Sequence, residues 1–573
     1  MEVGTTKEGK GKPVLDLFAR GKTSFPVVTL ILDRRGVVVS LSGMLSFPYI
    51  HTPFTVNAGF FFFAIFAPIF VAVGDVKTPA IFGNNMVLQR DHANPVWGWG
   101  DRGEQVTVTI ADQSHRTQAD KDGNWRVILK PMKATAKPLT LSIKGKNKLK
   151  YENILIGEIW VCSGQSNMGW SVNSSDDSDL ELLTADFPNL RLISVPQVGT
   201  QELQNDFKGQ WEASTPDSAK NFSAVGYLFG RRLHQALKVP VGLIDNAWGG
   251  SACEAWIPRD RLNATPVAKP YMELWKETEA NYDATAAQEK YEAQKAKWTE
   301  QVKKAKAAGK PRPRVPRAPR NPLTGQHRPA NLYNGVLNPI IGCGIKGAIW
   351  YQGESNSGRG HAYREVFPLM IETWRRDWKQ GDFSFYWVQL ADFMGEDEEP
   401  ADNNWPELRE AQTLTLDKLE NVGEAVIIDV GEGRDIHPRN KQIVANRLAR
   451  NALAKDYGIK IPHQSPRYKS METKVGKAIL TFDHVGTGLY TFDVREPVGF
   501  AICGKDKKFV WAKAKLAGKD KVEVWAEGID QPVAVRYAWS NNPVCNLYSK
   551  TGSVTLPATP FRTDDFPLVT EGK

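Results

Sequence analysis

Four apolar segments, each followed directly by a short polar motif, constrain the fold of this chain more than any other feature of its sequence. They cover residues 154–163, 241–248, 345–351 and 425–430. Amphipathic helical patterns separate or follow them, at residues 224–237, 362–378, 406–419 and 438–457. Apolar strands that alternate with such helices are typical of a parallel sheet covered on both faces. We therefore predict an α/β domain over residues 151–460.

The regions on either side show short stretches of alternating apolar and polar residues, which are typical of antiparallel strands. Examples are QVTVTIAD and WRVILKPM before the central region, and KAILTFDHV and KVEVWAEGI after it. A chain of 573 residues is long enough for several domains. We predict a small β domain over residues 76–150 and a C-terminal β region over residues 461–573.

The longest apolar run, AGFFFFAIFAPIFVAV, lies near the N-terminus at residues 58–73. It is short for a membrane span and contains Pro68, so the hydrophobic core of a signal peptide fits it better. We predict a signal peptide within an N-terminal extension over residues 1–75, and hence a secreted, periplasmic or cell-surface protein. A retained membrane anchor is the alternative.

An insertion at about residues 272–322 interrupts the central region. It begins with a charged helical pattern in which Tyr291, Trp298 and Ala305 recur every seven residues, so we expect this seam to pack onto the body of the protein. The run KPRPRVPRAPRNP follows and should be extended, because proline fits neither a helix interior nor a central strand. Residues 301–320 hold eight basic and no acidic residues, against a formal net charge of +9 for the whole chain. Two interpretations stay open, a solvated loop and an electrostatic attraction for an anionic glycan or surface.

Metal and cofactor sites are not indicated by the sequence. The nine histidines and five cysteines show no metal-ligand spacing, and zinc-protease, P-loop and dinucleotide-binding motifs are absent. The proline-rich spacing of the insertion gives no stacking platform for nucleic acid. We therefore predict no cofactor, no metal and no nucleic-acid partner. Cys503 and Cys545 could pair in an exported protein, and the sequence leaves this open.

The polar motifs that follow the four apolar segments should meet in space, because ligands bind at the carboxyl ends of strands in an open α/β sheet. The first motif, GQSNM, places Ser166 in a turn that begins with a glycine. A hydroxyl there, beside backbone N–H groups that point at a bound carbonyl, is a candidate nucleophile. Met168 stands where the second glycine of a GxSxG motif would be, which argues against an α/β-hydrolase.

His437 follows the last apolar segment and precedes a helical pattern, so its imidazole can face the cleft as a general base. Asp435, two residues earlier, could fix the tautomer of that imidazole. The alternative is that Asp435 only caps a helix in which Pro438 takes the first position.

Two further motifs suggest groups that would stabilise an oxyanion. Gly249 and Gly250 allow close approach of the backbone to a ligand, and the side-chain amide of Gln352 could supply another donor. The structural alternative is a tight turn with a buried polar network. We also expect the substrate to contact the polar residues of these motifs, namely Asn167, Glu354 and Asn356.

Six stretches of the sequence resemble the sialate O-acetylesterase family: GEIWVCSGQSNM, WYQGESN, DIHP, NNMVLQR, LREAQ and PFRTDDF. The resemblance covers nearly everything from Thr78 onward. It implies a flavodoxin-like SGNH hydrolase domain with β-sandwich regions, no metal, and hydrolysis of acetyl esters on sugars by a serine esterase. The family's nucleophile and histidine fall on Ser166 and His437, and its oxyanion contributors fall on the glycine motif at 249–250 and on Gln352.

The third catalytic position stays open between Asp435, Glu354 and Asp429, and a serine–histidine dyad is a further possibility. The expected partner is an acetylated carbohydrate, and no stable membrane span is expected. Two other functions remain as alternatives, a non-catalytic carbohydrate-binding protein and an SGNH lipase or arylesterase. Four aromatic residues near the motifs could stack on sugar rings or belong to the core: Trp248, Trp350, Tyr351 and Trp405.

Overall fold

The computed structural model of the protein describes residues 28–33, 36–41, 75–474 and 476–572. The chain divides into two units, Met1–Val71 and Ala72–Lys573. In the first unit, strands β1 (Val28–Asp33) and β2 (Gly36–Leu41) form an antiparallel pair. The predicted signal peptide at residues 58–73 lies outside the described residues. Among the described residues, no helix is both long and apolar enough to cross a membrane.

The second unit begins with strands that mostly pair in antiparallel fashion, as the alternating pattern predicts. They are β3 (Val87–Gln89), β4 (Pro95–Trp99), β5 (Gln105–Ile110), β6 (Gln113–Gln118), β7 (Asn124–Ile128), β8 (Thr135–Lys144) and β9 (Lys148–Gly164). In β5, Val106, Val108 and Ile110 are buried while the residues between them are partly exposed. The first half of β9 pairs with β8 and its second half lies in the central sheet. The strand therefore runs across the predicted boundary at residue 150, and the division into domains remains a prediction.

The central sheet is parallel apart from one edge strand. Its further strands are β10 (Phe187–Ser194), β11 (Glu212–Ser214), β12 (Val241–Asp245), β13 (Gly347–Tyr351), β14 (Ser384–Val388) and β15 (Val422–Ala425). Their order is β11-β10-β12-β9-β13-β14-β15, and only β11 runs antiparallel to its neighbour. The strands β12-β9-β13-β14-β15 follow the 2-1-3-4-5 order of flavodoxin-like folds. The predicted fold class is confirmed, although the strand expected at 425–430 lies at 422–425.

Nine α-helices occur in the described part of the chain. They are α1 (Ser178–Leu183), α2 (Pro216–Lys220), α3 (Ala224–Leu237), α4 (Arg259–Asn263), α5 (Lys269–Asn281), α6 (Ala284–Ala307), α7 (Gly360–Trp378), α8 (Asn404–Leu414) and α9 (Lys441–Lys455). Short 3-10 or π turns cover Val172–Ser174, Cys253–Trp256, Pro266–Ala268, Pro322–Thr324, Tyr333–Leu337, Asn338–Ile340, Glu354–Arg359 and Thr415–Asp417. The side chain of Asn440 caps α9, accepting a hydrogen bond from the Ile443 N–H. Pro438 is therefore not in the first helical position, and Asp435 is not the cap of this helix.

Helices cover both faces of the central sheet, which explains why the strands are apolar throughout. Every residue of β13 and β14 is buried. Ile349 and Tyr351 point to the face covered by α3 and α9, whereas Trp350 points to the face covered by α7 and α8. Each fully buried large side chain contributes roughly 1.5–3 kcal/mol to folding. The sheet is thus a rigid base for the loops at its carboxyl edge.

The insertion departs from the sequence expectation. No residue of α6 is fully buried, and the residues of its seven-residue seam are half-buried. The indole Nε1 of the half-buried Trp298 donates to the Pro313 carbonyl at 3.0 Å. The helix and the proline-rich segment therefore pack against each other. Residues 310–321 belong to no helix or strand, as expected, and the last residue of the run begins the 3-10 turn Pro322–Thr324.

The C-terminal region is antiparallel, as predicted. Its strands are β16 (Arg467–Lys474), β17 (Lys477–Asp483), β18 (Gly488–Thr491), β19 (Phe500–Cys503), β20 (Phe509–Trp511), β21 (Lys513–Leu516), β22 (Lys521–Trp525), β23 (Ala534–Tyr537), β24 (Leu547–Thr551), β25 (Val554–Pro557) and β26 (Phe561–Arg562). They form three sheets around one core, which also takes in Val426 and Ile428 from the central region. Cys503 and Cys545 are both free thiols, so the structure holds no disulfide between them.

Candidate active site

Three of the polar motifs meet where the chain changes direction across the sheet. Strands β12 and β13 lie on opposite sides of β9, and the chain crosses from one to the other. The carboxyl ends of strands at such a switch point border a crevice in open α/β sheets. The loops that follow β9, β12 and β13 therefore surround one position, and the first of them carries Ser166.

Ser166 is held at this edge by a glycine that no other residue can replace. Gly164 has φ +139°, and a Cβ there would lie 2.2 Å from the Tyr351 carbonyl oxygen on the neighbouring strand. The next residue, Gln165, donates its backbone N–H to the same carbonyl at 2.9 Å. The turn therefore leaves the sheet sharply, and Ser166 is half-buried at its tip.

Ser166 and His437, which are 271 residues apart in the chain, meet at this tip. The distance between Ser166 Oγ and His437 Nε2 is 2.8 Å, which is hydrogen-bonding distance. His437 lies in the loop between β15 and α9, and its side chain is 26% exposed. The pair therefore has the geometry of a nucleophile and its general base.

Asp435 is the carboxylate beside the other ring nitrogen. Its Oδ1 lies 3.4 Å from His437 Nδ1 and accepts the backbone N–H of His437 at 2.9 Å. The Asp435 side chain is 51% exposed, unlike a buried triad carboxylate. Within the described residues, the two other candidates bind elsewhere: Glu354 Oε1 accepts from Asn167, and Asp429 pairs with Arg447.

Trp170, which was not among the predicted site residues, lies against the histidine. The Trp170 ring stacks on the His437 ring with centroids 5.0 Å apart and planes 16° apart. Partial burial lowers the pKa of His437 below the usual 6.5, Asp435 partly opposes this, and the buried Lys441 ammonium lowers the pKa further. The imidazole is therefore neutral, and able to accept a proton, at physiological pH.

The glycine turn after β12 approaches Ser166 closely. The Ser251 N–H donates to the Trp248 carbonyl at 3.2 Å, and Gly250 has φ +71°, which closes a tight turn. A Cβ on Gly249 would lie 3.4 Å from Ser166 Cβ. In the described part of the chain, the backbone N–H groups of Ser166 and Gly249 have no hydrogen-bond acceptor. Two donors are thus free beside the serine hydroxyl.

Gln352 does not have the predicted arrangement. Its side chain is fully buried, and its amide nitrogen donates to the Ser251 carbonyl at 3.0 Å and to Asn356 Oδ1 at 2.8 Å. The Gln352 Oε1 accepts from the Tyr363 hydroxyl at 2.8 Å. Both amide hydrogens are therefore engaged, so Gln352 is not a free oxyanion donor. It fixes the end of the glycine turn instead, which corresponds to the structural alternative.

Comparisons with known proteins identify the family of this chain. A family profile described as a carbohydrate esterase, sialic acid-specific acetylesterase, matches residues 327–451. The sialate O-acetylesterase of Pongo abelii is 30% identical over 83% of this chain and 90% of its own length, and that of Homo sapiens is 29% identical over the same shares. The chain belongs to the sialate O-acetylesterase family. It is therefore an esterase, and the resemblance seen in the sequence motifs is confirmed.

A solved structure supports the fold assigned to this family member. A carbohydrate acetylesterase from Xanthomonas citri is 33% identical, with a TM-score of 0.70. The match covers 86% of this chain and 100% of that chain. The relationship therefore extends beyond the catalytic motifs to the β regions on either side.

Behind the serine, this sialate O-acetylesterase family member contains a buried polar network. Asn167, which is 1% exposed, donates to Glu354 Oε1 at 2.6 Å and to the Ile436 carbonyl at 2.9 Å, and accepts from Lys441 Nζ at 2.6 Å. Burial lowers the pKa of Lys441 to about 7 and raises the pKa of Glu354. Asn167 thus joins the loops of Ser166, Glu354 and His437. Its predicted contact with substrate is corrected to a positioning contact.

Asn356 is also buried, with 1% exposure, and so has no surface for a substrate. Its Oδ1 accepts from the Cys253 N–H at 2.9 Å, and its Nδ2 donates to Glu254 Oε2 at 2.9 Å. The ion pair between Glu254 and Arg359 completes this group. Asn356 therefore positions the loop after β13 rather than binding a ligand.

The aromatic residues near the motifs differ in burial, which the sequence left open. Trp350, Tyr351 and Trp405 are buried, so they belong to the core. Trp248 is half-buried beside the glycine turn and remains available to a ligand, as does Trp170. In the described residues, no group of three His, Cys, Asp or Glu side chains is arranged to hold a metal ion.

Proposed function

We propose that this esterase hydrolyses O-acetyl esters on carbohydrates through an acetyl-enzyme formed on Ser166. The observation that carries the proposal is the 2.8 Å distance between Ser166 Oγ and His437 Nε2 in a chain of the sialate O-acetylesterase family. Unpaired N–H groups beside the hydroxyl support acyl transfer over simple binding.

In the first step, Ser166 Oγ attacks the carbonyl carbon of the acetyl ester while His437 Nε2 takes the hydroxyl proton. The carbonyl oxygen becomes an oxyanion, which the N–H groups of Ser166 and Gly249 stabilise. Each such donor contributes about a hundredfold or more to the rate. The intermediate then collapses, the bond to the sugar oxygen breaks, and His437 returns the proton to that oxygen.

In the second step, His437 takes a proton from a water molecule that attacks the acetyl group on Ser166. The second tetrahedral intermediate uses the same N–H groups. Its collapse breaks the bond to Ser166 Oγ, which recovers the proton from His437, and acetate leaves. Asp435 supports the imidazolium that exists between these transfers.

Acetate release from a panel of O-acetylated sugars tests the function. The panel contains O-acetylated sialic acid, acetylated xylan and acetylated pectin, with acetyl and long-chain p-nitrophenyl esters for comparison. We expect acetate from at least one carbohydrate and a strong preference for acetyl over long-chain esters. Preference for long chains would indicate a lipase, and glycan binding without acetate release would indicate a non-catalytic binding protein.

The pH dependence of kcat/KM should show the lowered pKa of His437. The base must be neutral to act, so activity is present above this pKa and is lost as the pH falls through it. Because burial and Lys441 lower the pKa, we expect the acid limb to have its midpoint below pH 6.5. A pH–rate profile with p-nitrophenyl acetate measures this, and a midpoint above pH 7 would contradict the assignment of His437 as an uncharged, partly buried base.

Substitution of Asp435 by asparagine should lower kcat/KM by about tenfold to a hundredfold, which corresponds to one charge-assisted contact. The loss is smaller than for a buried triad carboxylate, because the Asp435 side chain is 51% exposed. Since Asp435 raises the pKa of His437, the acid limb should also move to lower pH. Asp429→Asn is the control, and a larger loss in that variant than in Asp435→Asn would assign the orienting role to Asp429.

Export is part of the proposal and depends on the apolar segment at residues 58–73 alone. Export requires that the precursor is cleaved near residue 74. N-terminal sequencing of protein recovered outside the cell measures this cleavage. Retention of the segment in a membrane fraction would favour the anchor.

A further inference from the structure

The insertion forms a self-supporting arm, which we define as residues 284–320. Trp298, Val302 and Ala305 are the half-buried residues in the second half of α6, at helical spacing along one stripe. In the segment that returns along the helix, Pro313 and Pro316 are half-buried and their neighbours are exposed. A period of three is that of a polyproline II helix, which the prolines and the residues before them favour. The arm thus pairs an α-helix with an extended proline-rich segment whose composition favours polyproline II.

Two contacts of Trp298 hold the halves of the arm together. Its Nε1 donates to the Pro313 carbonyl at 3.0 Å, and the Arg312 guanidinium lies 4.8 Å from the centre of its ring. Because α6 buries no residue, the arm keeps its form through its own contacts.

Nearly all of the net positive charge of the chain belongs to this arm. It contains eleven basic and three acidic residues, whereas the whole chain has a formal net charge of +9. Arg314, Arg317 and Arg320 are exposed, and the described residues include no carboxylate partner for them. In a polyproline II conformation, residues that are three apart in the sequence lie on one side of the strand, about 9 Å from each other. The arm therefore presents a regular row of unpaired guanidinium groups.

The base of the arm lies beside the catalytic turn. Six residues after Arg320, the Gln326 carbonyl accepts the N–H of Ala252 at 3.3 Å. A Cβ on Gly250 would lie 3.2 Å from Gln326 Nε2. The next residue, His327, accepts the Tyr271 hydroxyl through its carbonyl at 2.6 Å. The segment that follows the arm therefore contacts the glycine turn next to Ser166.

We propose that the arm binds a linear polysaccharide with regularly spaced carboxylates, and that the acetyl esters hydrolysed by this enzyme are carried on such a polymer. The inference depends on the proposed function for its second half. Guanidinium groups bind carboxylates through paired hydrogen bonds, and a row of them raises the local concentration of a polyanion.

Two other polyanionic partners fit the arm less well. Binding in a lipid surface uses exposed apolar side chains, and Val315 is the one large exposed hydrophobic residue in the arm. Single-stranded nucleic acid stacks on aromatic faces, whereas one face of Trp298 is covered by Arg312 and its edge bonds to Pro313. A carboxylated polysaccharide requires neither.

Binding is tested with deacetylated polygalacturonate as the probe and with the full chain. The variant replaces Arg314, Arg317 and Arg320 with glutamine, and its Kd should rise at least tenfold over that of the wild type. The wild-type Kd should itself rise with added NaCl, because exposed charges are screened. The control removes the same charge by replacing Lys513, Lys515 and Lys519 with glutamine on the C-terminal β region, and its Kd should equal that of the wild type. Equal Kd values for both triple variants would overturn the inference.

Activity separates this inference from the proposed function. The ratio of kcat/KM for acetylated polygalacturonate to that for p-nitrophenyl acetate should fall at least tenfold in the arginine variant, with the ratio for acetylated neutral xylan unchanged. An unchanged ratio in the arginine variant would overturn the inference. If Ser166→Ala abolishes acetate release in the same experiments, the proposed function stays intact. Binding of polygalacturonate by a wild-type protein that releases no acetate from any sugar would overturn the proposed function and leave the binding site. Capture by phosphatidylserine vesicles and not by polygalacturonate would assign the arm to a membrane surface.

Discussion

Substitution of Ser166 by alanine is expected to lower kcat/KM for p-nitrophenyl acetate by about 10⁴- to 10⁶-fold. Alanine removes the oxygen that lies 2.8 Å from His437 Nε2, and with it the atom that bonds to the acetyl carbon. The N–H groups beside the turn remain, so a small residual rate over the uncatalysed reaction should persist. Steady-state rates give the size of the loss, and the intact-protein mass after an acid quench shows whether an acetyl group is attached.

The fold should tolerate this change. The Ser166 side chain is half-buried and its hydroxyl bonds to His437, which water can satisfy in its place. We expect the free energy of unfolding to change by less than about 1 kcal/mol. Ser174→Ala is the matched control, since it removes an exposed hydroxyl from the same loop and should retain the wild-type rate. Hydrolysis by Ser166→Ala near the wild-type rate, or an acetyl group found on that variant, would exclude Ser166 as the nucleophile.

The convergence of Ser166 and His437 was accessible to sequence reasoning because it follows from topology. Strands of parallel sheets end at one edge, and each motif follows the end of an apolar segment. The apolar segments were easy to recognise since both faces of β13 and β14 are buried. The location of Ser166 and His437 in the fold could therefore be inferred without knowledge of any side-chain contact.

The roles of the neighbouring polar residues were not accessible in the same way. Whether an amide in such a motif faces the cleft or the interior depends on tertiary neighbours, and Gln352 turns inward to Ser251 and Tyr363. Lys441 is the first residue of α9, where lysine is usually solvated, yet its ammonium is buried against Asn167. Trp170 follows Ser166 by four residues, and that proximity was the one signal that could have found it.

The insertion shows a different limit. Heptad spacing of Tyr291, Trp298 and Ala305 correctly indicates a stripe on the helix, but periodicity does not identify what covers the stripe. The proline-rich run predicts a separate extended segment, yet its Pro313 carbonyl accepts the indole N–H of Trp298 on the helix. To recognise such a helix and its extended partner in a sequence, the pattern of the helix must be compared with that of the proline-rich segment.

Substitution of His437 by alanine should cause a loss similar to that of Ser166→Ala, about 10⁴- to 10⁶-fold in kcat/KM, because the same imidazole moves the proton in both steps. The two variants should differ in their response to added imidazole. The His437 ring is 26% exposed and stacks on Trp170 at 5.0 Å, so its removal leaves an open site beside an aromatic face. Imidazole bound there should restore part of the activity of His437→Ala, in proportion to its neutral form, and should not restore Ser166→Ala. His115→Ala on β6 controls for general effects of losing a histidine and should keep the wild-type rate. If imidazole rescues neither variant and kcat/KM of His437→Ala falls by less than tenfold, another group accepts the proton of Ser166.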